Sequence, residues 1–367
     1  MAKLLSIIIP TYNMEEYLRR CLDSLILENE DDCQLLDIII INDGSTDSSS
    51  CIGHEYENRF PNVFRVIDKE NGHYGSCVNR GLKEAEGKYV RVLDADDYLD
   101  CNIFPVFLRA LSEADSDVFI SDYKKVNEEG MVKRNVHFKG LVEKKKSVVT
   151  SMFANMRMQT HAVAYRTELL KRIDYRQSEG LLYTDQEWMF LPFANCKSYY
   201  YLPNLPLYNY LLGRKGQSVD RKVHCKHIGD EVKGLYVMID QYLDNREKLD
   251  EIGRKYLEGR LRRRMRVIYS SYLLRYYLVL SRRDLISIDE YIKLKSEHIY
   301  RLADEITMNN RFFVKEWRKH YRVSFGIWTI RLCLWYREDS ENWIIMLMKR
   351  AIRKTIRMVR NRVTSYS

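Results

Sequence analysis

The sequence predicts an α/β fold in which a doubly wound, mostly parallel sheet is flanked by helices and followed by a helical, basic C-terminal region. Short runs of Ile, Val and Leu with little polar alternation are typical of strands buried on both faces. The predicted strands are Leu4–Pro10, Leu36–Ile41, Val63–Asp68, Tyr89–Leu93 and Val118–Ile120. Between them, helical apolar spacing predicts helices over Glu15–Leu27, Asp47–Asn58, Tyr74–Glu86 and Ile103–Ala114. This alternation indicates a parallel sheet, in which ligands bind beyond the carboxyl ends of the strands.

The C-terminal part of the chain is expected to form a second, helical and basic region. Residues 121–222 mix strand-like and helical pieces, and residues 223–367 read as helices, so we expect domains at 1–222 and 223–367. A hydrophobic share of 46% with 30% charged residues excludes a disordered chain. From residue 250 onward 27 Lys and Arg oppose 13 Asp and Glu, although the whole chain carries only +9. Such an excess calls for an anionic partner, which could be membrane lipid, nucleic acid or another subunit.

The last helical pattern, Trp343–Val363, has Trp, Ile and Met on one side and Arg and Lys on the other. This is typical of an amphipathic helix at an anionic membrane surface, but packing on the preceding helices or on a second copy of the chain would explain it equally. The eight cysteines lack metal-ligand or redox spacing, and no leader peptide or membrane span is apparent. We therefore expect a cytoplasmic protein with reduced cysteines, peripheral to the inner face of the membrane if the last helix binds lipid.

Three predicted strands end in polar residues that can carry chemistry. SIIIPTYN ends the first strand in a Pro-Thr-Tyr turn, and LDIIIINDGSTD places Asp43 after the second. LDADDYL places Asp94, Asp96 and Asp97 together after the fourth. Each motif alone is also explained by turn and helix-cap chemistry or by a solvated acidic turn. Clustered carboxylates repel one another unless a cation compensates, and oxygen ligands of this kind suit Mg²⁺ or Mn²⁺.

Taken together, these motifs resemble those of glycosyltransferase family 2, inverting enzymes of GT-A fold. The matching segments, in family order, are SIIIPTYN, CLDSL, IIINDGSTD, NGHYGSCVNRG, EGKYVRVLDADD and YTDQEW, and they span about residues 4–215. The resemblance implies that residues 1–222 are a GT-A catalytic domain. Its first half, residues 1–120, would bind a nucleotide sugar, for which the family resemblance implies a UDP-sugar, and residues 121–222 would face the acceptor.

The resemblance also implies the metal and the catalytic base. Asp94 and Asp96 match the outer positions of the family's Asp-x-Asp motif, which implies a divalent Mn²⁺ or Mg²⁺ ion. Asp185 matches the catalytic base, although this chain has Thr184 where the family often has Glu. An ordinary carboxylate at a helix N-terminus is the alternative interpretation of Asp185.

Donor positions follow from the same match. Asp43 corresponds to the carboxylate that reads the base, usually uracil, and Pro10, Thr11 and Tyr12 flank the nucleoside. The full set implied for the donor is Pro10, Thr11, Tyr12, Asp43, Gly72, Asn79, Arg80 and Asp97. In the motif GRKGQS, Arg214 and Lys215 could close over a diphosphate as a lid, or simply form a surface turn. His161 and Trp188 are the candidate acceptor contacts, with a structural role as the alternative for His161.

The expected reaction is transfer of a sugar from a nucleotide-diphosphate donor to a hydroxyl of a glycan or lipid-linked acceptor with inversion, in surface polysaccharide synthesis. A nucleic-acid-binding protein acting through the basic tail, or an inactive sugar-nucleotide-binding module, is the alternative. The first lacks the motifs that such proteins carry, so no nucleic acid is expected. The retained Asp94, Asp96 and Asp185 oppose the second. Homo-oligomer formation stays open.

Overall fold

A computed structural model describes residues 2–214, 216–271, 282–308 and 311–320. The chain divides into two compact units, residues 1–264 and residues 265–367. The predicted helix Trp343–Val363 and the candidate lid residue Lys215 lie outside the described residues. The helices just after residue 222 pack with the first unit, and the domain boundary predicted at that residue stays a prediction.

An eight-stranded, mostly parallel sheet forms the centre of the first unit. The strands of this unit are β1 Leu5–Thr11, β2 Leu36–Asn42, β3 Phe64–Asp68, β4 Tyr89–Val92, β5 Tyr98–Leu99, β6 Val118–Ser121, β7 Tyr123–Val126, β8 Val132–Val136, β9 Lys146–Val148, β10 Val163–Arg166, β11 Ser198–Leu202 and β12 Tyr208–Leu211. The large sheet has the order β3-β2-β1-β4-β10-β6-β11-β9. β3, β2, β1 and β4 run parallel, and β10 is antiparallel to both of its neighbours. The mostly parallel α/β sheet predicted from the sequence is confirmed.

Helices cover both faces of this sheet and continue beyond it. They are α1 Glu15–Asp23, α2 Glu30–Gln34, α3 Ser49–Arg59, α4 His73–Glu84, α5 Phe104–Glu113, α6 Thr167–Arg172, α7 Asp185–Trp188, α8 Leu191–Ala194, α9 Arg221–Lys226, α10 Ile228–Asn245 and α11 Glu251–Ser270, with 3₁₀ turns at Ser151–Asn155 and Thr160–Ala162. Residue 264, where the first unit ends, lies within α11.

The buried central strands fix where the polar strand ends lie. β1 and β2 pair in register from Leu5 opposite Leu36 to Thr11 opposite Asn42, and every residue of β2 is buried. Because both strands are apolar on both faces, helices must cover each side of the sheet. The sequences after β1, β2 and β4 therefore emerge at one edge, where parallel strands present their carboxyl ends.

α4 lies unusually close to its neighbours because two glycines face them. A Cβ on Gly81 would overlap the side chain of Ile8 in β1, and a Cβ on Gly75 would overlap the backbone oxygen of Ser178. Replacing a side chain by hydrogen is what lets a helix approach a strand or loop this closely. The contact at Gly75 brings the segment before α7 against the first turns of α4.

A second, four-stranded sheet of order β5-β12-β7-β8 was not predicted from the sequence. Its strands are four or five residues long, apart from the two-residue β5, and β12 pairs with β5 from more than a hundred residues away. This sheet places β12 beside the segment that follows β4, which brings Tyr208 and Tyr210 to the acidic motif.

The second unit contains α12 Arg282–Lys295, α13 Glu297–Asp304, β13 Thr307–Met308, β14 Arg311–Phe312 and α14 Phe313–His320. A buried ion pair joins α14 to α12, where Arg318 NH2 lies 2.6 Å from Asp289 Oδ1. Within the described ranges, none of the helices has the length and apolar character that crossing a membrane requires.

Candidate active site

Three aspartates follow β4 at the carboxyl edge of the sheet, and each has a different partner. Tyr74 donates its hydroxyl to Asp94 Oδ1 at 2.9 Å. Asp97 is fully buried and accepts from the hydroxyl of Tyr208 at 2.6 Å and from the backbone N–H of Leu211 at 2.7 Å. Both of these Asp97 contacts come from β12, so the second sheet holds the acidic segment in place.

The third aspartate is paired with a cation. Arg214 forms an ion pair through its Nε with Asp96, and its guanidinium lies over the ring of Tyr17 at 5.6 Å. The sequence left Arg214 as either a lid over a diphosphate or part of a surface turn, and the lid role stays a prediction. In this structure Arg214 neutralises Asp96, one carboxylate of the acidic motif. A metal ion could take its place on that carboxylate, and a phosphate could compete for the guanidinium.

The carboxylates are crowded enough to shift one another's pKa. Burial raises the pKa of Asp94 to about 7, with contributions from the negative charge of Asp96 and, to a smaller extent, from that of Asp185. Burial and the charges of Asp96 and Asp94 raise the pKa of Asp97 well above its ordinary value. Asp185 is 91 residues away in sequence, and the effect of its charge on Asp94 means that the two carboxylates lie near each other in space.

Asp185 is the first residue of α7 and follows a strained turn. Tyr183 has a φ of 62°, in the left-handed region that side chains rarely adopt. Gln186 donates its amide N–H to Asp185 Oδ2 at 3.0 Å. Burial raises the pKa of Asp185, while the nearby Arg264 guanidinium acts in the opposite direction. The predicted base therefore sits in a partly desolvated position beside the acidic motif.

A second cluster surrounds Asp43 at the end of β2. The Asp43 side chain is buried, and its Oδ1 accepts from Lys69 Nζ at 2.5 Å and from the N–H of Gly72 at 2.9 Å. The Asp43 N–H donates to Thr11 O at 2.8 Å, which ties the end of β2 to the end of β1. Tyr12, next along the chain, is 48% exposed. This arrangement leaves an accessible aromatic ring next to a fixed carboxylate, as a nucleobase site requires.

His161 lies among aromatic rings below the acidic motif. Its ring stacks on Tyr210 at 4.2 Å between centroids and lies 4.8 Å from Tyr208. Burial lowers the pKa of His161 to about 3, so the imidazole is neutral, and its Nδ1 is buried with no hydrogen-bond partner. Ligand atoms of His161, Asp94 and Asp97 lie within 4.8 Å of one another.

These side chains fit a divalent cation. A neutral imidazole whose buried nitrogen has no hydrogen-bond partner can coordinate a metal ion. Together with carboxylate oxygens it gives a mixed N/O ligand set that Mn²⁺ accepts. The structure thus adds His161, predicted as an acceptor contact, to the residues that could hold the ion. Asp96 would join them only if Arg214 moved away. The metal roles predicted for Asp94 and Asp96 stay predictions.

Three of the predicted side chains have partners within the protein that do not point to a ligand. Asn79 donates to Gln177 O at 2.8 Å, and Arg80 Nε pairs with Glu84 at 3.0 Å on the exposed face of α4. Trp188 is 1% exposed and is enclosed by aromatic side chains. It could meet an acceptor only after those rings moved apart, so its position favours a packing role.

Other functional side chains were missed by sequence reasoning. Tyr74 and Tyr208 bond to the acidic motif, and Lys69 bonds to Asp43. For Tyr208 there was a usable signal, since alternation along a strand puts Tyr208 and Tyr210 on the same face. Nothing local in the sequence indicates which segment that face covers.

The fold and the site define a class of protein, and comparison with known sequences supports it. Residues 6–174 match the family described as glycosyl transferase family 2. Residues 6–174 therefore form a family 2 glycosyltransferase domain, and the fold is GT-A, as the motifs predicted.

Individual relatives are similar over part of their length. The chain is 31% identical over 180 residues to the glycosyltransferase GlyA of Streptococcus pneumoniae, an alignment that covers 49% of this chain and 24% of GlyA. It is 36% identical over 115 residues to the minor teichoic acid biosynthesis protein GgaB of Bacillus subtilis, covering 31% of this chain and 13% of GgaB. The chain thus spans about a quarter or less of the length of these two relatives.

Among solved structures, the chain is similar to residues 1–349 of S. aureus TarS in complex with UDP-GlcNAc. The TM-score is 0.64 at 20% sequence identity, and the match covers 90% of each chain. At this identity the likeness shows a shared fold, and it extends past residue 174 into the helical region.

Proposed function

We propose that this protein transfers a sugar from a nucleotide-diphosphate donor to a hydroxyl group of a glycan or lipid-linked acceptor, with inversion at the anomeric carbon. The observation that carries the proposal is the convergence of Asp185 with the acidic motif after β4, read from the effect of its charge on the pKa of Asp94. A base and a cation site must lie together when one receives the acceptor's proton and the other faces the leaving group.

Asp185 is assigned the role of general base. An acceptor hydroxyl is a weak nucleophile near neutral pH, so a carboxylate must take its proton as it attacks. Burial raises the pKa of Asp185, which makes its carboxylate a stronger base than one in water. Direct attack from the face opposite the diphosphate inverts the anomeric configuration and needs no covalent sugar–enzyme intermediate.

Asp94, Asp97 and His161 are assigned to a divalent cation, Mn²⁺ or Mg²⁺, with Asp96 as a further ligand when Arg214 leaves it. A cation bound there would neutralise the negative charge that grows on the leaving diphosphate. Arg214, once released from Asp96, can pair with a phosphate by the same charge-assisted bonds. Arg214 would therefore neutralise the motif in the free protein and the diphosphate in the complex.

The donor's nucleoside is assigned to the cluster at the ends of β1 and β2. Tyr12 offers an exposed ring for stacking on a base. The carboxylate of Asp43 accepts a hydrogen bond from the base N–H, as the imide of uracil offers. UDP-sugars are the first donors to test because TarS, whose fold this chain shares, was crystallised with UDP-GlcNAc.

Surface polysaccharide synthesis is the proposed pathway of the acceptor, and the similarity to GgaB, a teichoic acid biosynthesis protein by name, supports it. A lipid-linked acceptor would agree with peripheral attachment to the inner face of the membrane through Trp343–Val363. That attachment, and the cytoplasmic location, are part of the proposal. Loss of liposome flotation on truncation before Trp343 would support it, and unchanged flotation would remove it.

The central test is release of nucleotide from a panel of UDP-, GDP- and dTDP-sugars with Mn²⁺ or Mg²⁺. We expect one donor to be turned over only with metal, Asp185→Asn to bind it without turnover, and Asp94→Ala to lose metal dependence and most activity. Asp174→Asn is the matched control, because Asp174 is 89% exposed and its left-handed φ suits asparagine. No binding of any sugar nucleotide by folded protein would overturn the proposal and favour the alternative of binding through the basic tail.

A further inference from the structure

α11 contributes a buried arginine that reaches the segment carrying Asp185. Arg260 is 5% exposed, and its NH2 donates to Gln186 Oε1 at 2.9 Å. Its NH1 donates to Met158 O at 3.1 Å, which anchors the other arm of the guanidinium. Gln186 in turn donates through Nε2 to Asp185 Oδ2 at 3.0 Å. These contacts form a chain from α11 through one amide to the carboxylate.

The direction of this chain is set by chemistry. A guanidinium can only donate hydrogen bonds, so it selects the oxygen of the Gln186 amide and turns the NH2 group toward Asp185. The reversed amide would put two donors together at Arg260 and two acceptors together at Asp185. Arg260 therefore determines which end of the amide faces the carboxylate, although it does not bond to Asp185 itself.

We propose that Arg260 is a positioning residue for sugar transfer, which orients the Asp185 carboxylate by fixing the Gln186 amide. This inference rests on the proposed function for its catalytic consequence, and on the contacts above for its geometry. It assigns a role in the active site to α11, which lies beyond the residues 6–174 that match the family. A base displaced by a fraction of an ångström loses rate while substrate binding is retained.

The test is a double-mutant cycle on Arg260→Met and Gln186→Met. With UDP-GlcNAc and Mn²⁺ as the probe, or the donor that the panel identifies, we expect each single variant to lower kcat about 10- to 100-fold with KM for the donor little changed. The double variant should be no slower than Gln186→Met alone, because both changes break the same chain. Additive losses would mean independent roles and would overturn the proposal, as would wild-type kcat in Gln186→Met.

Arg263→Met is the matched control. Arg263 lies on the same helix, is partly buried, and donates to a backbone oxygen of the same region, Ala154 O at 3.2 Å, without bonding to Gln186. We expect its kcat to be that of the wild type. An equal loss in Arg263→Met would show that any disturbance of α11 slows the enzyme and would remove the specific role of Arg260.

A stability cycle separates failure of this inference from failure of the proposed function. The same four proteins are unfolded in urea, and the contact predicts that the two substitutions are non-additive in midpoint even if no donor is turned over. Coupling in stability together with independent effects on kcat would leave Arg260 a structural residue only and refute its positioning role. If Arg260→Met does not fold, the kcat of Gln186→Glu is measured instead. A second carboxylate cannot donate a hydrogen bond to Asp185, so kcat should fall, and an unchanged kcat would overturn the proposal.

Discussion

Asp94→Asn should make the metal-free protein more stable at alkaline pH. In the fold, burial and the charge of Asp96 raise the pKa of Asp94 to about 7, against roughly 4 for an aspartate in an unfolded chain. Between these values the folded state holds a proton that the unfolded state has released. Stability therefore falls as pH rises through this window. Asparagine keeps the shape and can still accept from Tyr74, but it has no charge to bury.

The magnitude follows from the width of that window. Each pH unit between the two pKa values changes the free energy of unfolding by about 1.4 kcal/mol. From pH 5 to pH 8 the Asp94 contribution amounts to about 2 to 3 kcal/mol, because titration in the fold is nearly complete about one unit above pKa 7. Asp94→Asn should remove this loss. The difference in free energy of unfolding between variant and wild type should therefore be about 2 to 3 kcal/mol more favourable to the variant at pH 8 than at pH 5.

The assay is urea unfolding at pH 5 and pH 8 in the presence of a chelator, for wild type, Asp94→Asn and Asp174→Asn. Subtracting the wild-type change between pH 5 and pH 8 from that of each variant removes the titration of distant groups to first order. Asp174→Asn should follow the wild type, because that exposed carboxylate has almost no burial to lose. Equal pH dependence in all three proteins would refute the claim that Asp94 is held in a destabilising position.

Two further substitutions test the packing of the site, each read from the urea midpoint. Tyr208→Phe removes a donor from the buried Asp97 and should cost about 1 to 3 kcal/mol, the range for a buried polar group left without its partner. Tyr12→Phe, at an exposed ring, should cost almost nothing. Gly75→Ala should cost about 1 to 3 kcal/mol, because its Cβ would overlap the backbone oxygen of Ser178 and one segment must shift. An unchanged urea midpoint in Gly75→Ala would show that α4 and the segment around Ser178 are not in close contact.

The parts of the site that follow a buried strand could be predicted from the sequence. Asp43 comes directly after the buried strand β2 and Asp94 two residues after the buried strand β4, and the parallel sheet brings such ends to one edge. Asp185 was located only by resemblance to a family motif, since a carboxylate at the start of a four-residue helix carries no local signal. The pattern of buried strands in the sequence predicts which residues lie at this edge of the sheet. It does not predict which later segment packs against that edge.

Contacts between distant segments account for what was missed. Tyr208 is 111 residues from Asp97, and Arg260 is 74 residues from Gln186. The first pairing depends on the short strand β12 and the second on the arginine-rich helix α11. The positions of both elements are set by packing rather than by local propensity. An arginine in the run around residue 262 gives no sign in the sequence that it is buried.

The acidic motif and the arginines that face it depend on one another. Buried carboxylates at this spacing are stable only when cations or protons compensate them. In the free protein Asp96 has Arg214, while Asp94 and Asp97 respond through raised pKa values. A divalent cation would supply charge that a single arginine cannot, and its arrival would lower those pKa values and free Arg214 for the diphosphate. The same crowding of carboxylates would therefore drive the binding of cation and donor together, which is why we expect metal and nucleotide sugar to bind cooperatively.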